Sequence, residues 1–124
     1  MRKAVVTDKA PTPAFSYSQG IVAGGFLFVS GQVPVHPVTK VVPEAFGDQV
    51  RQVMDNVAAI AASAGARISD AVRVGVYLAD LANFKEMDGI YREYFEDPLP
   101  ARTTIGTALL GFAVEVDAVI ALDG

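Results

Sequence analysis

The chain has 124 residues, 52% of them hydrophobic and 19% charged, with 11 Gly, 7 Pro and no Cys. That is the length of a single domain, 1–124, and it excludes disulfide frameworks, thiolate metal sites and a cysteine nucleophile. Ten Lys plus Arg against 14 Asp plus Glu leave a net charge of -4 with no basic cluster, which argues against nucleic acid as the primary partner. A single histidine, His36, leaves no multi-histidine metal cage, so no metal site is expected. Area scaling gives a folded surface of roughly 6,400 Å² against roughly 19,000 Å² unfolded, enough burial for a core without covalent staples. Mean hydropathy is +0.35 and the charged share is low, so part of the apolar area is expected in a subunit interface. No apolar run approaches the ~20 residues of a membrane span. Met1 to Asp8 lacks the apolar core of a signal peptide, and the expectation is a cytoplasmic protein with no membrane partner.

Arg2 to Thr7 reads as a short strand, after which Pro11 and Pro13 impose an extended loop through Phe15 to Gln19. Gly20 to Ala23 and Phe26 to Ser30 flank Gly24-Gly25, the pattern of a hairpin with a two-residue turn. Pro34, Pro37 and Pro43 keep residues 31–45 irregular. From Phe46 the period becomes helical: Val50, Val53, Met54, Val57, Ile60, Ala61 and Ala64 share a stripe, and Gly65 closes the helix at C′. Val72, Val74, Val76 and Leu78 alternate as one apolar strand face. A second helix follows, with Asn83 and Glu86 in capping-box order and a buried stripe of Phe84, Met87, Ile90, Tyr91, Tyr94 and Phe95. Pro98 and Pro100 separate it from a strand at Ala101 to Thr107, and Ala113 to Leu122 is the last strand. The order βββαβαββ makes an α+β fold with a mixed six-stranded sheet, at least one parallel pair from the βαβ crossover, and helices on one face only. The bare face, rich in Val and Phe, is expected against another subunit.

Few residues carry chemistry. Arg102 stands among small and apolar neighbours, where a guanidinium needs an anionic partner. A structural pair with Glu115 or Asp117 on the adjacent last strand, or a solvated place at a sheet edge, is the plain reading; a ligand carboxylate held by the guanidinium fork is the functional one. Glu115 and Asp117, at i and i+2, point to one face of an apolar strand, where mutual burial would raise the pKa of one and suit it as a general base. An acidic row paired with Arg73 or Arg102 is the plainer reading. Tyr17 is either a lid over a site or an ordinary loop aromatic. Ser30 has no histidine near it in sequence to activate it, and His36 between two prolines reads as a solvated loop residue.

Tyr17-Ser18-Gln19-Gly20, Phe28-Val29-Ser30-Gly31-Gln32-Val33-Pro34, Gln49 to Asn56, Pro100-Ala101-Arg102-Thr103-Thr104 and Val114-Glu115-Val116-Asp117-Ala118 occur in order along nearly the whole chain. Together they resemble the RidA/YjgF family of enamine/imine deaminases. The resemblance implies a chorismate-mutase-like subunit in a homotrimer, with sites in clefts between subunits. It also implies cofactor-independent hydrolysis of 2-enamine/2-imine acids, such as 2-aminoacrylate, to a 2-keto acid and ammonia. Arg102 matches the family arginine that holds the substrate carboxylate, and Glu115 the glutamate that orients water. Tyr17 matches the loop tyrosine closing the site; Ser30, Gly31 and Thr104 match positions lining it. Three features depart from the archetypal pattern: Thr104 in place of Cys, Asp88 in place of Asn ahead of Tyr91, and a shorter loop before Glu115. A non-catalytic trimer binding small carboxylates and an endoribonuclease are the competing functions; the charge of -4 argues against the second.

Overall fold

A computed structural model describes residues 1–123. Its strands are β1 (Lys3–Val5), β2 (Gly20–Ala23), β3 (Phe26–Gln32), β4 (Ala71–Leu78), β5 (Ala101–Gly106) and β6 (Val114–Ala121), with helices α1 (Phe46–Ser63) and α2 (Phe84–Arg92). They form one six-stranded sheet in the order β1-β2-β3-β6-β4-β5, antiparallel except for the β4–β5 pair. The expected α+β architecture is present, and the crossover through α2 supplies the one parallel pair, β4–β5, where at least one was expected.

The hairpin turns on two glycines at φ 61° and 84°, both left-handed, as a two-residue turn of this type requires. Gly65, at φ 78°, ends α1: its N–H bonds the Ala62 carbonyl at 3.0 Å and that of Ala66 bonds the Ala61 carbonyl at 3.0 Å. These are the two bonds of a Schellman cap. Leu27, Val29, Val74, Val76, Leu78, Val114, Val116, Ala118 and Ile120 bury one sheet face against Val50, Val53, Met54, Val57 and Ile60 of α1. The alternation along β6 is complete: Val114, Val116, Ala118 and Ile120 are buried, while Glu115, Asp117, Val119 and Ala121 are half-buried on the other side. That other face carries Phe26, Phe28 and Ile105, which remain exposed.

Several expectations need correction. A bulge between Ala71 and Arg73 turns Val72 outward, to 44% exposure, and gives Ala71 the inward place. The capping box at Asn83 is absent: Asn83 makes no side-chain cap bond, and Asp80 instead accepts from the Ala82 N–H at 2.9 Å, starting a short 3-10 turn ahead of α2. Helix α2 ends at Arg92, so Tyr94 and Phe95 lie beyond it. Phe84 is exposed, not part of a buried stripe. Arg102 does not adjoin β6, because β6 is inserted between β3 and β4 and leaves β5 at the sheet edge beside β4 alone.

Four buried amides secure the irregular segments. Gln19 accepts from the Thr7 N–H at 2.8 Å and donates to the carbonyls of Thr7, Ala10 and Pro11, which clamps the loop carrying Tyr17. Asn56 donates to the Val33 and Val35 carbonyls, Gln49 to the Pro43 carbonyl, and Gln49 also accepts from the Ala113 N–H just before β6. Gln32 donates to the Ser30 carbonyl at 3.1 Å. His36 is more than a solvated loop residue: its Nδ1 accepts from the Val38 and Thr39 N–H groups at 3.1 Å each, organising the turn in the 31–45 loop.

Candidate functional site

Strand β5 alternates across the sheet, and its parallel register opposes Arg102 to Val74 and Thr104 to Val76. Val74 and Val76 face the helices, so Arg102 and Thr104 do as well. Being at the sheet edge, Arg102 reaches α2 without entering the core. Its guanidinium stacks over the Tyr91 ring, 4.7 Å to the centroid, with the Phe84 ring 5.4 Å away. Its Nη1 donates to Asp88 Oδ1 at 2.7 Å; the Arg102 side chain is 20% exposed and that of Asp88 50%. Asp88, Tyr91, Arg92, Leu99, Pro100 and Arg102 line a cleft of about 310 Å³. Burial pushes the Tyr91 phenol above its ordinary pKa, against the opposing influence of Arg102. The Tyr91 hydroxyl and Thr104 Oγ1 are buried without a hydrogen-bond partner among the described residues.

Glu115 lies on the opposite face. It is registered with Tyr77, and Asp117 with Gly75. The carboxylate of Glu115 occupies the space a Cβ at Gly31 would take, so position 31 admits glycine without displacing it. Burial first, and the like charge of Asp117 second, raise the Glu115 carboxyl above its ordinary value. Asp117 accepts from the Gly75 N–H at 3.1 Å and from the Tyr77 hydroxyl at 2.8 Å. Neither acid bonds an arginine; Arg73 donates instead to Thr103 Oγ1 at 3.2 Å. The ion pairs of the acidic row with Arg73 or Arg102 are therefore overturned: alternation and strand order place Arg102 on the other side of the sheet, and Arg73, on the same side, turns to Thr103 of β5.

Ser30 adjoins Gly31, and its hydroxyl donates to the Ser18 carbonyl, which ties β3 to the loop bearing Tyr17. Tyr17 itself is 49% exposed. The seven residues singled out in the sequence thus fall into two groups. Gly31 and Glu115 meet on the bare face, with Ser30 beside them holding the Tyr17 loop through the Ser18 carbonyl; Asp88, Arg102 and Thr104 gather at the β5 edge beside α2. The sequence reading missed the stacking of Arg102 between Tyr91 and Phe84 and its pairing with Asp88. Asp88 carried a signal, as the departure ahead of Tyr91, but its partner depended on the strand order.

Among the described residues no helix is long and apolar enough to cross a membrane. The Endoribonuclease L-PSP family model matches residues 7–122. A RutC family protein of Pyrococcus horikoshii is 39% identical over 122 residues, covering 96% of this chain and 97% of its own. Reactive Intermediate Deaminase A, chloroplastic, of Arabidopsis thaliana is 39% identical over 117 residues, 94% of this chain and 63% of that protein. The crystal structure of RidA from an Antarctic Psychrobacter superposes with a TM-score of 0.92 at 32% identity, covering 97% of this chain and 99% of that one. Fold, motif order and end-to-end similarity agree: the chain belongs to the Endoribonuclease L-PSP family, the family of the RidA/YjgF proteins.

Proposed function

We propose that the protein is a cytoplasmic, cofactor-independent hydrolase that converts reactive 2-enamine/2-imine acids to 2-keto acids and ammonia, in sites built between copies of a homotrimer. The observation that carries this reading is the separation of the seven residues into two groups. A guanidinium on the helix-side face of an edge strand and a carboxylate of raised pKa on the bare face cannot meet in one chain. They can meet between two chains, and a heterologous contact whose rotation is a third of a turn closes into a ring of three.

In such a cleft Arg102 holds the substrate carboxylate, with its guanidinium already oriented by Tyr91 and Phe84. Glu115 of the facing copy takes a proton from water as the water oxygen attacks the imine carbon. The carbinolamine nitrogen takes that proton back from Glu115; the C–N bond then breaks as the hydroxyl proton passes to Glu115 and the carbonyl forms, and the departing ammonia takes this last proton as ammonium, restoring the carboxylate. A protonated imine is already electrophilic, so positioning of substrate and water supplies much of the rate. Tyr17, on its clamped loop, closes over the site, and Ser30, Gly31 and Thr104 line it.

The test is release of keto acid and ammonia from 2-aminoacrylate generated in situ. Arg102→Ala is expected to lower the rate at least ~100-fold, as loss of a charged orienting contact does. A wild-type protein no faster than buffer would overturn the reading, as would an Arg102→Ala variant as fast as wild type.

A further inference from the structure

We propose that Asp88 is a specificity-determining residue: a resident carboxylate on Arg102 that disfavours anionic 2-keto acids relative to ligands bringing a positive charge along with their carboxylate. The inference rests on the reading of Arg102 as the carboxylate holder. Asp88 binds one guanidinium nitrogen at 2.7 Å, and among the described residues Nη2 and Nε of Arg102 donate to no protein atom. One side of the fork is therefore spent and the other is open. The rings of Tyr91 and Phe84 pack against the guanidinium where it meets Asp88, which favours that orientation. Arg92, the other cation lining the cleft, is paired with Asp97 at 3.4 Å. Asp97 lies outside the cleft lining, where its exposed pair with Arg92 draws that second cation away, and Asp88 is the one carboxylate that lines the cleft.

A 2-keto acid entering the cleft brings a second negative charge beside Asp88 to the guanidinium they share. A 2-imino acid protonated on nitrogen adds none, and its N–H can donate to the remaining lone pairs of Asp88. Hydrolysis removes that positive charge as ammonium, so the step that forms the product also converts a tolerated ligand into a repelled one. Asp88 would then hasten product release as well as select the substrate.

Pyruvate is the probe, titrated by calorimetry into wild type, Asp88→Asn, Asp88→Ser, Arg102→Ala and the double variant Asp88→Asn/Arg102→Ala. L-Alanine serves as the zwitterion of the same carbon skeleton. Both Asp88 variants are expected to bind pyruvate about tenfold more tightly, the size of a partly screened like-charge contact, while L-alanine gains nothing comparable. In the double variant the gain should disappear. The proposal is overturned if both Asp88 variants bind pyruvate no better than wild type while Arg102→Ala loses it. Equal tightening of pyruvate and L-alanine overturns it too, since that reports a widened cleft instead of charge selection. Unchanged pyruvate binding in Arg102→Ala would instead remove the underlying reading of Arg102.

Discussion

Glu115 is half-buried and sits two residues from Asp117, so its charged form is disfavoured both by lost hydration and by a like charge on the same face. A carboxyl whose folded pKa lies above its unfolded one favours folding while protonated and loses that advantage as pH rises through the folded value. At neutral pH the wild type therefore carries a penalty that Glu115→Gln removes. The variant should be more stable at pH 7 by a few tenths of a kcal/mol, a figure already reduced for solvent screening of a partly exposed group. Below the ordinary carboxylate range both forms are neutral and the difference should vanish. Denaturant unfolding at pH 7 and pH 3 checks this; an equal difference at both values would mean the effect is packing. Activity should run the other way: a base must be ionised, so turnover falls with pH through the raised value and is lost in Glu115→Gln. Alternation along β6 made the shared face of Glu115 and Asp117 legible in the sequence. Its bearing on Arg102 was not, since side-chain parity within one strand says nothing about which strand becomes its neighbour.

Periodicity and turn chemistry made every strand and helix of the sheet layer visible, down to Gly24-Gly25 and the Gly65 cap, because each rests on contacts a few residues apart. The misses came where tertiary contacts decide. Tyr94 and Phe95 keep helical spacing although α2 has ended, because the N–H groups of Glu93, Tyr94 and Phe95 bond to carbonyls three residues back. That tighter winding carries Phe95 into the core, 4.7 Å from the Tyr91 ring. Val72 turns outward because a bulge adds one residue to the β4 side of its pair with β6, and bulges leave no reliable mark in composition. The glutamines and asparagine of the family motifs also gained their meaning only in three dimensions, as buried braces for loops. Gln19→Ala tests that role. It leaves one N–H and three carbonyls of the 7–19 loop without their partner, at a cost of about 2 kcal/mol. Urea unfolding should show the loss, and amide exchange should quicken over residues 7–19 first, ahead of the strands. Uniform acceleration along the chain would mean that Gln19 supports the core and not the loop.

At the scale of the molecule, the surface of 7015 Å² exceeds by about a tenth what a compact monomer of this mass should show. Phe26, Phe28 and Ile105 lie exposed on the face opposite the helices, beside Glu115, Asp117 and the half-buried Val119. The Arg102 cleft opens elsewhere, at the β5 edge. If each site joins the Glu115 face of one copy to the Arg102 edge of the next, then Arg102→Ala and Glu115→Ala damage different halves of it. Either variant alone removes one half from every site and is inactive. Mixed oligomers differ: wherever the intact Glu115 face of an Arg102→Ala chain meets the intact Arg102 edge of a Glu115→Ala chain, a complete site is restored. Random assembly from equal amounts puts that pairing at about a quarter of the interfaces, independent of which neighbour is counted. Co-expressing the two variants with different tags and purifying through both should therefore recover roughly a quarter of wild-type turnover, or somewhat more, because unmixed oligomers are discarded. A site formed within one chain gives no recovery at all, since every chain then carries one defect. An inactive mixture of confirmed mixed composition would show that Arg102 and Glu115 do not act across a subunit boundary.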